Sequence, residues 1–103
     1  PNPGSSVDAC ALDNGHWVLV CNDQPQGRHR LTVYLSEDEG DTWPVSRPLE
    51  DFPPEKGSAS YPSMMQAGDG SIHCTYSFRD EATPGSTIKH ARCNEDWIRQ
   101  GQP

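Results

Sequence analysis

The segment Ser36-Glu37-Asp38-Glu39-Gly40-Asp41-Thr42-Trp43 decides the fold, because its polar residues are spaced to close a tight turn between two strands. Gly40 can adopt the positive φ that such a turn requires. The carboxylate of Asp38 can accept hydrogen bonds from the amides of the turn, and the Thr42 hydroxyl can bond locally. Trp43 can then pack back beneath the hairpin. The sequence therefore predicts a turn over 36–43 that connects two strands.

Strands are predicted on both sides of this turn. Upstream, Leu31, Val33 and Leu35 alternate with polar or aromatic residues, which is the period of two that a half-buried strand shows. Downstream, a short strand is predicted near Val45–Leu49, before a proline-rich stretch at 51–56. The segment 36–43 therefore joins two neighbouring strands of one antiparallel sheet.

The succession of strands and turns occurs twice. Asn14-Gly15 is predicted to be a two-residue hairpin turn, in which both residues need positive φ. Asp69-Gly70 follows 55 positions later between similar apolar runs. Repetition at this period indicates β-propeller blades, which are four-stranded sheets. The strands are predicted at 7–12, 16–22, 31–35, 45–49, 60–66, 72–78 and 87–93, and a single helical turn at 94–100 is expected to fold Trp97 and Ile98 back on the sheet.

Composition limits both the size of the core and the partners. The chain has 103 residues, of which 32% are hydrophobic, and two blades alone would expose two large apolar faces. Missing blades or other copies of the chain are expected to cover them.

A net charge of −7 argues against nucleic acid and anionic membranes as partners, because both require basic patches. No apolar run approaches the roughly 18 residues that span a bilayer, and no signal peptide is recognised.

The four cysteines contain no C-x-x-C pair, so a zinc site is not predicted. With a two-residue turn at Asn14-Gly15, Cys10 would face Leu19, and Cys21 would lie diagonally from it, about 7–8 Å away. That separation is too large for an unstrained disulfide. We therefore expect buried free thiols, while the relation of Cys74 to Cys93 depends on the loop between their strands.

The segment 36–43 fits the pattern S-x-D-x-G-x-T-W without a mismatch, and it resembles the Asp-box, or BNR repeat, of sialidases and related β-propellers. The likeness covers nearly the whole chain. The resemblance implies an all-β fold of about two four-stranded antiparallel blades, at 1–56 and 57–103, corresponding to the last third of a six-bladed propeller. It also implies a structural role for the Asp-box residues Ser36, Asp38, Gly40, Thr42 and Trp43. The remaining matching segments are Asp8–Leu19, Ser60-Tyr61-Pro62, Asp69-Gly70, Ile72–Tyr76 and Ile88-Lys89-His90.

Sialidases hold the carboxylate of the substrate with three arginines, attack with a tyrosine that a glutamate activates, and use an aspartate as acid and base. The resemblance implies that Arg28, eight residues before the Asp-box, binds substrate, with Arg30 as the alternative. It implies that Tyr61, at the start of an innermost strand, is the catalytic nucleophile. An arginine suits a carboxylate because its fork of N–H groups binds both oxygens.

The chain also departs from the sialidase pattern. Where that family presents the activating glutamate and a second arginine, this sequence has Ser6 and Asn22, with Asp8 as a nearby carboxylate. A hydroxyl nucleophile without a base is weak. The resemblance therefore implies a glycan-processing protein, or a fragment of one, that is incomplete or inactive on sialic acid as an isolated chain.

A non-catalytic carbohydrate-binding or assembly module is the alternative function. The expected partner is a carbohydrate ligand, and three identical chains closing a six-bladed ring are an alternative to an excised fragment. No cofactor and no metal are predicted, because His73 and His90 fall on neighbouring strands without an evident third ligand. His16 and His29 are expected to be solvated in turns. The resemblance favours a secreted or periplasmic location.

Overall fold

Seven strands form two antiparallel sheets in the computed structural model, which describes residues 4–24, 26–53, 55–81 and 85–100. The first sheet has the order β1-β2-β3-β4 and the second the order β5-β6-β7. The expected all-β architecture with two blade-like sheets is confirmed, but the second sheet has three strands, not four. The elements are β1 (Asp8–Ala11), β2 (Trp17–Cys21), β3 (Arg30–Ser36), β4 (Val45–Asp51), β5 (Gly57–Gln66), β6 (Ile72–Asp80), β7 (Thr87–Cys93) and α1 (Glu95–Gln100).

The predicted two-residue turn at Asn14-Gly15 is wrong, because three residues separate Leu12 from His16, the last hydrogen-bonded pair before the turn. The amide of Leu12 donates to the carbonyl of His16 at 2.8 Å, and the amide of Gly15 donates back to the carbonyl of Leu12 at 3.0 Å. Gly15 has a φ of 88°, whereas Asn14 keeps a negative φ. A β-turn closed by a left-handed glycine adds one residue to the loop. As a result Cys10 lies opposite Val18 instead of Leu19.

The turn that joins β5 to β6 in the second sheet is of the same kind. The amide of Ala67 donates to the carbonyl of Ser71 at 2.8 Å, and the amide of Gly70 donates to the carbonyl of Ala67 at 2.9 Å. Gly70 has a φ of 88°, the value found at Gly15. The 55-residue repeat in the sequence is therefore also a repeat of backbone geometry.

The Asp-box turn joins β3 to β4 through hydrogen bonds of its own side chains. Asp38 accepts from the Thr42 amide at 2.8 Å and from the Thr42 hydroxyl at 2.5 Å. Ser36 donates to the same carboxylate at 2.7 Å and accepts from the Gly40 amide at 2.9 Å. Gly40 has a φ of 91°. Trp43 is half-buried beside it, so the turn has the geometry expected from the sequence.

Asp38 makes the stability of this turn dependent on pH. Hydrogen bonds from Thr42 and Ser36 lower the pKa of Asp38 from its ordinary 3.8 to about 2. A carboxyl group with a lowered pKa in the folded state stabilises the fold above its ordinary pKa, and this contribution is lost as the pH falls from about 4 to about 2. As the pH falls through that interval, we therefore expect the free energy of unfolding to decrease less in Asp38→Asn than in the wild type. The measurement is urea denaturation at each pH. The exposed neighbour variant Asp41→Asn is the control, and equal slopes for the two variants would contradict the prediction.

The hydrophobic core lies between the two sheets. Leu31, Val33 and Leu35 are completely buried, as their spacing predicts, but Thr32 on the opposite face of β3 is also buried, so this strand is covered on both faces. Ile72 and Tyr76 of β6 belong to the same cluster. Burial of this apolar surface is the main force that holds the sheets together. Larger apolar side chains that remain exposed are Val7, Trp17, Met65 and Ile88.

One polar cluster crosses the interface between the sheets. The hydroxyl of Tyr76 donates to Oε2 of Glu50 at 2.6 Å, and Nζ of Lys89 lies 2.6 Å from the same oxygen. Burial and the bond to Glu50 raise the pKa of Tyr76 above its ordinary value. The cluster joins β4 of the first sheet to β6 and β7 of the second, because Glu50 belongs to β4.

The predicted helical turn exists, but it packs on the first sheet instead of its own. Oδ1 of Asn94 accepts a hydrogen bond from the amide of Trp97 at 2.9 Å, so Asn94 caps the helix and ends strand β7. Ile98 is completely buried, and α1 contacts β3 and β4. The Arg47 guanidinium lies 4.2 Å from the centre of the Trp97 ring and donates to the Trp97 carbonyl at 2.9 Å.

His16 is not simply solvated, contrary to expectation. Its Nδ1 lies 2.9 Å from Oε1 of Glu95, which also accepts from the Asn14 amide at 2.7 Å. These contacts join the first hairpin turn to α1.

Within the described ranges, no helix is long and apolar enough to cross a membrane.

Candidate functional site

Tyr61 lies at an irregularity of β5. The pairing of β5 with β6 is interrupted between Ser60 and Ser63, and Tyr61 has a φ of 54°. A bulky residue rarely adopts this conformation, which costs about 1–3 kcal/mol. The side chain is 57% exposed. The fold therefore holds the Tyr61 ring out of the regular strand, at the surface.

Arg28 stacks on the ring of Tyr61. The guanidinium carbon lies 4.9 Å from the ring centre, within the range of a cation–π contact. The backbone is also joined here, because the amide of Ala59 donates to the carbonyl of Arg28 at 2.8 Å. The loop that contains Arg28 thus runs along the edge of β5. Two residues that the resemblance assigned to a sialidase-like pocket are adjacent in the structure.

A groove of about 530 Å³ opens beside Arg28 and contains two arginines. Arg28, His29 and Arg79 line it, with Glu55 as its one acidic residue. Arg79 lies opposite Ser58 in the β5–β6 pair. The backbones at Arg28 and Arg79 therefore flank β5 and are separated by about 10 Å, twice the usual strand spacing. Long side chains can reach a common anion from these two positions.

Arg28 and Arg79 form no ion pair with any residue that the structure describes. Arg47, which also lacks a carboxylate partner there, is occupied by the Trp97 ring and carbonyl. A protein with a net charge of −7 has ample carboxylates for its cations, so two arginines in one groove without an ion pair among the described residues are a distinctive feature of this surface. The paired basic residues are Arg30, Lys56, Lys89, Arg92 and Arg99.

Arg30, the alternative to Arg28, points to a different partner. Its Nε bonds to Oδ1 of Asp23, and the Tyr34 hydroxyl donates to Oδ2 of the same carboxylate at 2.9 Å. Burial alone would raise the pKa of Asp23, but the bonds from Arg30 and Tyr34 outweigh it and leave the pKa below its ordinary value. Arg30 is therefore paired with Asp23, and Arg28 is the arginine that lies beside Tyr61.

Asn22 and Asp8 make structural contacts instead of lining the groove. Asn22 is completely buried, and its amide nitrogen donates to the carbonyls of Arg30 and Ala59, both at 2.8 Å. Oδ2 of Asp8 accepts from the amide of Met64 at 2.8 Å. Across the described ranges, no carboxylate hydrogen bonds to the hydroxyl of Tyr61. The base that a tyrosine nucleophile needs is therefore not supplied by these residues.

Residues 1–74 match the family described as BNR repeat-like domain. This chain belongs to the BNR repeat-like family. It is also 32% identical over 82 residues to a sialidase of Micromonospora viridifaciens, an alignment that covers 79% of this chain and 11% of that protein. The chain thus spans about a tenth of the length of the relative. The resemblance to sialidase-like BNR proteins, first based on the Asp-box, is confirmed.

Sequence reasoning missed Arg79 and made no prediction for the burial of Asn22 in this BNR repeat-like chain. Arg79 follows an apolar strand in the sequence, and its place beside Arg28 depends on the pairing of β6 with β5. Asn22 ends the apolar run of β2, where a polar residue is usually solvated. The sequence predicted a strand that ends at Phe78, whereas β6 continues to Asp80 and includes Arg79. The burial of Asn22 had no signal in the sequence.

The histidine pair of the BNR repeat-like chain lies away from Arg28. Nδ1 of His73 is 2.8 Å from Nε2 of His90, and the two rings stack with centres 4.9 Å apart. Nε2 of His73 is 2.9 Å from the Ser71 hydroxyl. Within residues 4–24, 26–53, 55–81 and 85–100, no group of three or more His, Cys, Asp or Glu residues is arranged to hold a metal ion.

Proposed function

We propose that this chain supplies the arginine and tyrosine side of a binding site for a carboxylate-bearing sugar, within a sialidase-like protein. The observation that carries the proposal is that Arg28 both stacks on Tyr61 and lines, with Arg79, the neighbouring groove. Guanidinium groups bind carboxylates through two parallel hydrogen bonds. An exposed aromatic ring offers the apolar surface and hydroxyl that a sugar ring contacts.

Two features favour an anionic sugar over a neutral one. Arg28 and Arg79 place two positive charges in the groove against the single carboxylate of Glu55, so an anionic ligand would balance the remaining charge. The relative that aligns over most of this chain is named a sialidase, and sialic acid carries a carboxylate at its anomeric carbon. The proposed ligand therefore presents its carboxylate between Arg28 and Arg79 and its ring toward Tyr61.

Hydrolysis is the second candidate function, and the geometry of Tyr61 favours it. Strained residues at the surface commonly occur in active sites, and Tyr61 is held in such a conformation beside an arginine. The hydroxyl still needs a base, since a neutral phenol is a weak nucleophile. We propose that further blades, or further copies of this chain in a ring, would supply that base. The isolated chain is expected to bind without turnover.

Binding is tested by NMR titration with the methyl α-glycoside of N-acetylneuraminic acid, with methyl β-galactoside as the neutral control. We expect saturable shifts of the groove amides with the first sugar alone. Arg28→Ala should weaken the affinity about tenfold or more, the equivalent of one lost charged hydrogen bond of about 1.4 kcal/mol. Arg92→Ala removes an exposed arginine that pairs with Asp69 and should leave the affinity unchanged. Equal binding of both sugars, or equal effects of both variants, would reject carboxylate recognition.

A fluorogenic sialoside separates binding from hydrolysis. The proposal predicts no turnover by the wild-type chain. Turnover that disappears in Tyr61→Phe, with the binding of the methyl sialoside retained, would instead show that this chain, alone or as a ring of its copies, hydrolyses the sialoside through Tyr61.

A further inference from the structure

We propose that Asn22 is a positioning residue that sets the placement of Arg28 against Tyr61, with Asp8 as a second anchor. The inference rests on the proposed function, because it concerns how that site is held in shape. It assigns a role to the position where sialidases present a ligand-binding arginine. In this chain the buried side chain of Asn22 supports the backbone of the site and does not contact the ligand.

The amide of Asn22 joins the two backbone segments that carry the site. Its nitrogen donates one hydrogen to the carbonyl of Arg30 and the other to the carbonyl of Ala59, both at 2.8 Å. Arg30 is two residues after Arg28, and Ala59 is two residues before Tyr61. One buried NH₂ group therefore fixes the separation of the loop from β5 close to both functional side chains.

The orientation of this amide is itself fixed. The hydroxyl of Ser5 donates to Oδ1 of Asn22 at 2.7 Å, so the amide oxygen has its own partner and both nitrogen hydrogens point to carbonyls. Only an amide supplies two hydrogens and one acceptor in this arrangement. A carboxylate of the same shape would present oxygen to the two carbonyls, and an arginine would be too long for the buried position.

Asp8 holds β5 on the other side of Tyr61. Its Oδ2 accepts from the amide of Met64 at 2.8 Å, three residues after Tyr61, and its Oδ1 accepts from the amide of Ala9 at 3.0 Å. A strained backbone persists only where the surrounding structure over-determines it. Asn22 and Asp8 provide that constraint from β2 and β1, one on each side of the irregularity. The first sheet thus imposes the conformation of Tyr61 on the second.

The test uses a signal that depends on the stacking of Arg28 on Tyr61. In the wild-type chain, the ring should shift the side-chain NMR resonances of Arg28 upfield, and Tyr61→Leu gives the unshifted reference. We expect Asn22→Ser to lose most of this shift while the amide resonances of β6 keep their dispersion. Thr32→Ala is the control, because it removes another buried polar side chain of the first sheet and should leave the shift intact.

A folded Asn22→Ser variant that keeps the full shift would overturn the inference, even if its stability falls. If Asn22→Ser does not fold, the test is made with Asp8→Ala, which is expected to lose the upfield shift of Arg28. Asp8→Asn keeps an oxygen acceptor and is expected to retain the shift. An unchanged shift in folded Asp8→Ala would equally overturn it. The readout needs no ligand, so failure of the wild-type chain to bind the sialoside would reject the proposed function without affecting this result.

Discussion

Replacing Glu50 with alanine is expected to lower the free energy of unfolding by about 3 kcal/mol, because it removes an acceptor that Tyr76 and Lys89 share across the interface between the sheets. The Tyr76 hydroxyl is buried and would lose its acceptor, and Lys89 would lose its counter-charge. The Glu50 side chain is 11% exposed, so water cannot easily replace it. The measurement is urea denaturation followed by circular dichroism.

A second ion pair on the same protein provides the matched control. Lys56 and Glu81 approach to 3.0 Å, but both side chains are 60% exposed. Exposed pairs of this kind contribute about 0–1 kcal/mol, so Glu81→Ala should have little effect. Glu50→Gln keeps an acceptor and should fall between the two. Equal losses for Glu50→Ala and Glu81→Ala would show that the cluster does not hold the sheets together.

Gly40→Ala is expected to destabilise the protein by about 2–4 kcal/mol, the sum of a left-handed backbone cost and an overpacking cost. Gly40 has a φ of 91°, which an alanine adopts with strain. A Cβ at this position would also lie 2.9 Å from two ring carbons of Trp17, closer than atoms in contact normally approach. The Asp-box turn and the first hairpin would both have to shift.

Gly15→Ala separates these two contributions. Gly15 has nearly the same φ, 88°, but a Cβ there would have no heavy atom within 4 Å. Its substitution should therefore cost only the backbone strain, about 1–2 kcal/mol. If thermal or urea denaturation gives the same loss for both variants, the contact between the Asp-box and Trp17 has no energetic importance.

The sequence predicted well those features that depend on local periodicity. The alternation of Leu31, Val33 and Leu35 identified a strand and the face that enters the core, and the polar spacing of the Asp-box identified its turn. The register of the first hairpin was not predicted, because Asn14-Gly15 fits both a two-residue and a three-residue loop. A difference of one residue in the loop changes every partner across the strands.

The candidate site was predictable only in part. Arg28 and Tyr61 were chosen by family resemblance, and nothing in local periodicity would have brought them together. The groove also depends on Arg79, whose contribution follows from the pairing of β5 with β6. Asn22 is polar and directly follows an apolar strand. Its burial is possible because the carbonyls of two other segments accept its amide hydrogens. Such tertiary contacts leave no periodic pattern in a sequence.

The placement of α1 has a consequence for how the molecule unfolds. The helix follows the last strand of the second sheet, yet Ile98 is buried against the first. Separation of the two sheets would therefore remove the contacts of the helix with the first sheet, and detachment of the helix would expose the apolar surface that it covers. Neither half can melt while the other keeps its full stability. The chain should consequently show a single cooperative transition instead of two separate steps.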